Sequence, residues 1–256
     1  MAFCADSWQE SYLVCLFSGN KGERSSLDDV INMYKEKIKA IFPSKGKGFR
    51  KKIGIKFAVT AYSQDGMKSI LEEEDKFGNL TLTNVCNESE TSIAAAVARR
   101  HNPPDISTLE IFDTRLQRSH PLVEVLLASA CAPVYFDAPT CIGDTDYIDG
   151  GVGGNCPLAQ AIPRMAQLAK EDRTLGSLQV VISIAPPRKA EKKGKKGQLA
   201  WLPWFASQLT DGNQVYLDQE KANPEAIFLR LSPQSEESQS FTVDSWKVDG
   251  MIESIR

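Results

Sequence analysis

Histidine is nearly missing from this chain: its 256 residues hold two, His101 and His120. Both lie beside proline-containing loop or cap segments, and both read as structural or exposed rather than catalytic. The six cysteines (Cys4, Cys15, Cys86, Cys131, Cys141 and Cys156) form no C-x-x-C pair and keep no regular spacing. The N-terminus has no charged segment leading into an apolar core, so secretory targeting is not expected and the cysteines read as reduced thiols of a cytoplasmic protein. No apolar run approaches the roughly 20 residues a bilayer-spanning helix needs, so any membrane contact is expected to be peripheral. A net charge of −3 gives no global basic character, and nucleic acid is not an expected partner. Neither a metal nor an organic cofactor is expected, and no internal repeat is found.

What is present is a regular alternation of helical and strand patterns. Trp8, Tyr12, Leu13, Leu16 and Phe17 share a helical face ending at Gly19. Ser26, with Asp29 three residues on, opens a second helix whose stripe (Leu27, Val30, Ile31, Tyr34, Ile38, Ile41, Phe42) stops at Pro43. Residues 53–61 read as an interior strand. Residues 80–86 alternate like a half-buried strand, hairpinned to Met67–Leu71 through Gly78-Asn79. A helix with Ser119 as N-cap and Pro121 in its first turn runs through Leu122, Val125, Leu126 and Leu127. Pro157–Lys170 is another helix, residues 178–186 the clearest buried strand, and residues 226–231 a later strand. The alternation implies helices flanking a mostly parallel sheet. The basic stretch 187–197 reads as a loop inside one domain, because core-like segments lie on both sides.

The most informative stretch is Asp149-Gly150-Gly151, with Ala130, Ala132, Pro133, Tyr135 and Phe136 before it and Asn155 and Pro157 after. It reads as a carboxylate held in a glycine turn between a short strand and a helix, where a catalytic base is often placed. Glycines there allow close backbone approach and positive φ. Taken alone, an Asp-Gly pair is an ordinary turn.

The whole block from Ala130 to Pro157 resembles the C-terminal signature of patatin-like phospholipases. Val181-Ile182-Ser183-Ile184 falls where that family has its next central strand, and Ser26–Tyr34 resembles the helix after its nucleophile elbow. The resemblance is best over residues 13–186 and weak over 187–256. It implies one α/β domain over residues 1–256, a three-layer sandwich with a mostly parallel central sheet. It also implies acyl-ester hydrolysis by a Ser-Asp dyad on phospholipid or neutral-lipid substrates. Carried onto this chain, Asp149 is the general base that accepts the serine proton, and Gly150-Gly151 form its turn.

The other half of that dyad is not in the sequence. No serine lies in G-x-S-x-G, and the glycine loop that would supply oxyanion donors is absent as well. Met1 to Phe17 resembles the tail of the helix leaving the elbow, so the expectation is a domain incomplete at its N-terminus. Without nucleophile and oxyanion donors, such a chain is not expected to turn over lipid esters alone. Ser18 is glycine-flanked but follows a helix instead of preceding one, which is the wrong side for an elbow. Cys156 opens a helix, where the dipole lowers a thiol pKa, but the favoured reading is a small buried thiol packed beside the turn.

Two basic runs, residues 45–52 and 188–196, suit anionic headgroups, a nuclear-import or nucleic-acid patch, or plain solvated loops. Trp201, Trp204 and Phe205 follow the second run and suit either a lipid interface or a core. Three functions remain open: an acyl hydrolase lacking its nucleophile, a catalytically dead lipid-binding or regulatory module, and a phosphate cradle at residues 147–155. The last has neither a P-loop Lys-Ser/Thr nor G-x-G-x-x-G spacing. Loss of an opening strand would leave unpaired sheet edges and an exposed apolar face. Poor solubility or a protein partner covering that edge is therefore expected.

Overall fold

A computed structural model of the protein describes residues 2–5, 27–42, 62–73, 79–82, 93–101, 108–115, 119–133, 135–137, 139–152, 156–185 and 212–232. The helix expected at residues 8–17, the strand at 53–61, Ser18, Asn155, both basic runs and Trp201, Trp204 and Phe205 lie outside the described residues.

Helix α1 (Leu27–Ile41) spans the expected range and ends before Pro43, with Lys39 in its last turn, where the helix dipole favours a cation. Its end is buried through Ile41 and Phe42. The hairpin strand expected at Met67–Leu71 is instead part of helix α2 (Asp65–Glu73). Met67, Ile70 and Leu71 fall at i, i+3 and i+4 and all three are buried, which is helical spacing. Ser63 helps to open that helix: its Oγ accepts from the Asp65 backbone N–H at 3.1 Å. Helices α1 and α2 meet at Gly66, where an added Cβ would lie 2.4 Å from the Ala40 carbonyl oxygen. Backbone cannot yield there as a flexible side chain would. Gly66→Ala is therefore expected to lower unfolding free energy by about 1–3 kcal/mol in urea titrations, despite alanine's better helix propensity.

Five strands form one mixed sheet: β1 (Ala2–Ala5), β2 (Ile93–Arg100), β3 (Leu109–Asp113), β4 (Thr140–Ile142) and β5 (Thr145–Asp149). Ala2–Ala5 therefore belong to a strand and not to the expected helical tail. β1 pairs β2 in parallel over Ala2↔Ile93 to Ala5↔Ala96, while β3 pairs it antiparallel over Ala95↔Asp113 to Arg99↔Leu109. Both use Ala95 and Ala96, so they lie on opposite edges of β2. β5 pairs antiparallel with the C-terminal end of β2, over Ala98↔Asp149 to Arg100↔Tyr147, on the edge shared with β1. β4 and β5 form a hairpin through Gly143 and Asp144. Gly143 has φ +59°, the left-handed backbone that such a two-residue turn demands. The protein is α/β, but the sheet that carries Asp149 is largely antiparallel.

Helix α3 (Leu122–Ala130) is the centre of the core. It buries Leu122, Val123, Val125, Leu126, Leu127 and the Ala128-Ser129-Ala130 tail, so it is apolar nearly all round. It packs on β2, β4, β5 and α2. Its N-cap position is held by Pro121, with no side-chain cap, and not by Ser119. Phe42, Tyr62 and Phe136 cluster at one end of this core, with ring centroids 5.2–6.3 Å apart. Phe112 stacks edge-on to Tyr147 at 5.1 Å at the other.

Helix α4 (Leu158–Glu171) runs over the expected range and packs on β3 and β1. Beyond it, β6 (Val180–Ile184) and β7 (Ile227–Leu231) pair in parallel, joined by a crossover containing helix α5 (Asn213–Ala222). β6 is not buried on both faces as expected: Val181 is covered, whereas Val180, Ile182 and Ile184 are exposed.

Candidate active site

Asp149 is the last residue of β5, so the short strand before the glycine turn is present as expected. The helix after it, α4, starts at Leu158. Two backbone ties fix the strand end. The Asp149 N–H donates to the Cys131 carbonyl at 3.3 Å, joining it to the residue that follows α3. Two residues earlier, the buried Tyr147 hydroxyl donates to Glu110 Oε2 at 2.8 Å, and Arg100 pairs with the same carboxylate at 3.0 Å. That network links β5, β3 and β2. Burial, then the hydrogen bond to Glu110, holds the Tyr147 phenol above its ordinary value.

The turn itself is closed by its own carboxylate. Gly151 N–H donates to Asp149 Oδ1 at 2.6 Å, and Val152 N–H donates to the Asp149 carbonyl at 3.1 Å. Arg99 of β2 donates through Nε to the Val152 carbonyl and pins the far side of the turn. Burial lowers the Arg99 guanidinium below its ordinary value. Asp149 stays half-buried. The result is a carboxylate oriented by a backbone N–H on a rigid strand end, the preparation a general base needs before it meets a hydroxyl. Among the described residues positive φ is found at Gly143, away from this turn.

Behind Asp149 lies Cys131, fully buried. Burial pushes its thiol up to about 12, with the Asp149 and Asp137 charges adding to the shift against a hydrogen bond with Thr140. It is therefore a protonated packing thiol and no nucleophile at neutral pH. The segment after it is stitched to residues 62–64. Tyr62 N–H donates to Tyr135 O at 2.7 Å, and Gln64 N–H donates to Asp137 Oδ1 at 2.5 Å. Cys156 is buried as well, two residues ahead of α4, and the packing account of it fits. Arg230 Nη1 lies 4.0 Å from its sulfur, donates to Ser183 Oγ at 2.8 Å, and stacks on Tyr216.

His101 is exposed, and His120 packs edge-on to Phe112 at 5.8 Å. Among the described residues no group of three or more His, Cys, Asp and Glu could hold a metal ion. Also among them, no helix is long and apolar enough to cross a membrane. Sequence reasoning missed Arg99 and a second anchor. Arg164 on α4 donates through Nε to Asp113 Oδ2 at 2.6 Å, both groups buried, and so locks the helix that follows the turn onto the end of β3.

These features define an α/β protein with a strand-end aspartate held in a glycine turn ahead of a helix. The family profile described as patatin-like phospholipase matches residues 11–162, more than half of the chain and all of the Asp149 turn. The chain belongs to the patatin-like phospholipase family, whose members act on lipid acyl esters. No curated protein matches the chain.

Proposed function

We propose that this chain carries the general-base half of a patatin-type lipid acyl hydrolase, with Asp149 as proton acceptor and Gly150-Gly151 as its turn. The observation that carries the reading is the Asp149 carboxylate fixed by the Gly151 N–H at the end of β5. In a Ser-Asp dyad the serine oxygen attacks the ester carbonyl while aspartate takes the hydroxyl proton. That proton later goes to the leaving alcohol, and water, activated by the same carboxylate, releases the fatty acid. No serine of these 256 residues has glycines two before and two after it. The chain alone is therefore inactive in this reading, and it works either with a nucleophile supplied from elsewhere or as a lipid-binding or regulatory module without turnover.

The rest of the reading is coarser. Residues 1–256 form one domain of a three-layer type, with β1–β2 and β6–β7 as its parallel pairs. Its place is cytoplasmic, with peripheral contact to phospholipid or neutral-lipid surfaces. A protein partner would add along unpaired strand edges. The test is intact-mass labelling with a fluorophosphonate serine-hydrolase probe, for wild type and Asp149→Ala side by side. No adduct is expected in either. A single adduct that vanishes in Asp149→Ala would identify a replacement serine and overturn the inactive reading.

A further inference from the structure

Arginine carries five N–H donors, and burial makes each unplaced donor costly. Arg164 of α4, 7% exposed, turns two of its nitrogens to Asp113: Nε lies 2.6 Å from Oδ2 and Nη2 3.5 Å from Oδ1. Its third nitrogen, Nη1, is buried and has no partner among the described residues. One turn earlier on the same helix, Gln160 Oε1 is an acceptor in the same condition, buried and without a donor among the described residues. Positions four apart on a helix share a face, with Cβ atoms about 5–6 Å apart. A donor and an acceptor so placed ordinarily bond each other, yet these two do not. Their turn also holds Pro163, which has no N–H for the Ala159 carbonyl and whose ring crowds it. Prolines inside helices distort the turn they sit in, and here that is the turn that separates the two side chains.

We propose that one internal water molecule bridges this pair, accepting from Arg164 Nη1 and donating to Gln160 Oε1. The chemistry of the two atoms selects the occupant. An anion would accept from Nη1 but meet the lone pairs of Oε1, and Asp113 already balances the guanidinium charge. A cation would serve Oε1 but face the guanidinium. What accepts on one side and donates on the other is a hydroxyl. With both atoms buried, the smallest hydroxyl compound, water, is the one that fits. Such waters are integral to a fold, because they satisfy buried groups that protein atoms leave unpaired. The bridge carries the Arg164–Asp113 anchor one turn back along α4, towards its start at Leu158 beyond the Asp149 turn. It requires no nucleophile and no lipid, so it stands apart from the role assigned to Asp149.

Two measurements on the full chain test it. A crystal structure at a resolution that shows ordered water should place one oxygen within hydrogen-bond distance of both Gln160 Oε1 and Arg164 Nη1. A direct bond between those two atoms, or any other protein atom bonded to Nη1, overturns the proposal. The second measurement is the urea unfolding of Gln160→Met, whose side chain is close to glutamine in length and helix propensity but accepts no such bond. With a water in place, the substitution removes a satisfied hydrogen bond and leaves Nη1 unpaired. The unfolded-to-folded ratio should then rise about tenfold. Without a water, the same substitution only removes an unpaired buried acceptor, and stability is unchanged or higher. An unfolding midpoint equal to or above that of wild type therefore also overturns the proposal.

Discussion

Arg164→Met is expected to remove about 3–5 kcal/mol of unfolding free energy, read as a shifted midpoint in urea titrations. Exposure sets that size. Lys68 and Glu72 also approach, at 3.8 Å, but their side chains are 54% and 52% exposed, and such a pair is worth a few tenths of a kcal/mol. Arg164 and Asp113 are 7% and 0% exposed, so the methionine variant strands a carboxylate in the core. The Arg115 N–H at 2.7 Å from Asp113 Oδ1 offsets only part of that. Asp113→Asn/Arg164→Met keeps an acceptor for Arg115 and carries no stranded charge. It should recover about 1–3 kcal/mol of the loss, the coupling expected of directly paired groups. If the two single-variant losses simply add in the double variant, the pair does not act as a unit and the account fails. The consequence reaches the site, because α4 begins just beyond the turn that Asp149 closes.

That anchor was invisible in the sequence for a physical reason. Arg164 sits inside a helix whose pattern predicts position well, but charge on a helix reads as solvent-facing until the partner, Asp113, is brought over by a strand 51 positions away. The strand itself was missed. Residues 93–100 carry four alanines, whose local preference is helical, and they form β2 because β3 covers one edge and β1 and β5 the other. Missing β2 and β3 made the helix-strand alternation look more parallel than the sheet is. By contrast, α1 and α4 were legible because their apolar spacing is long and regular. So was the Asp149 turn, whose glycines and flanking motif carry the signal in consecutive residues. Helix α2 lost out to a strand reading because Met67, Ile70 and Leu71 span barely more than one turn, too short a window to separate the two periods. Residues 178–186 read as a buried strand, yet Val180, Ile182 and Ile184 of β6 are exposed.

Alkali should expose Cys131 as the thiol that backs the site. Below pH 9 it is protonated folded or unfolded, and its burial contributes fully. The folded thiol is pushed up from 9.0 to about 12. As pH rises past the unfolded value, the unfolded chain therefore gives up a proton that the folded one keeps, and stability falls. The slope is about 1.4 kcal/mol per pH unit, so this single group withdraws about 2 kcal/mol by about pH 10.5 and continues until the folded thiol titrates. Tyrosines and lysines titrate there too, which is why the comparison is with Cys131→Ala. That variant loses packing at every pH but has no thiol to ionise. The stability gap between wild type and Cys131→Ala should shrink by about 2 kcal/mol between pH 8 and pH 10.5. Alkylation gives an independent reading: iodoacetamide should modify the exposed Cys141 in the native protein and reach Cys131 only through unfolding. A constant gap, or native-state alkylation of Cys131 at pH 8, would mean that the carbonyl holding the Asp149 N–H belongs to a mobile, wetted segment. The carboxylate would then have no rigid support from α3.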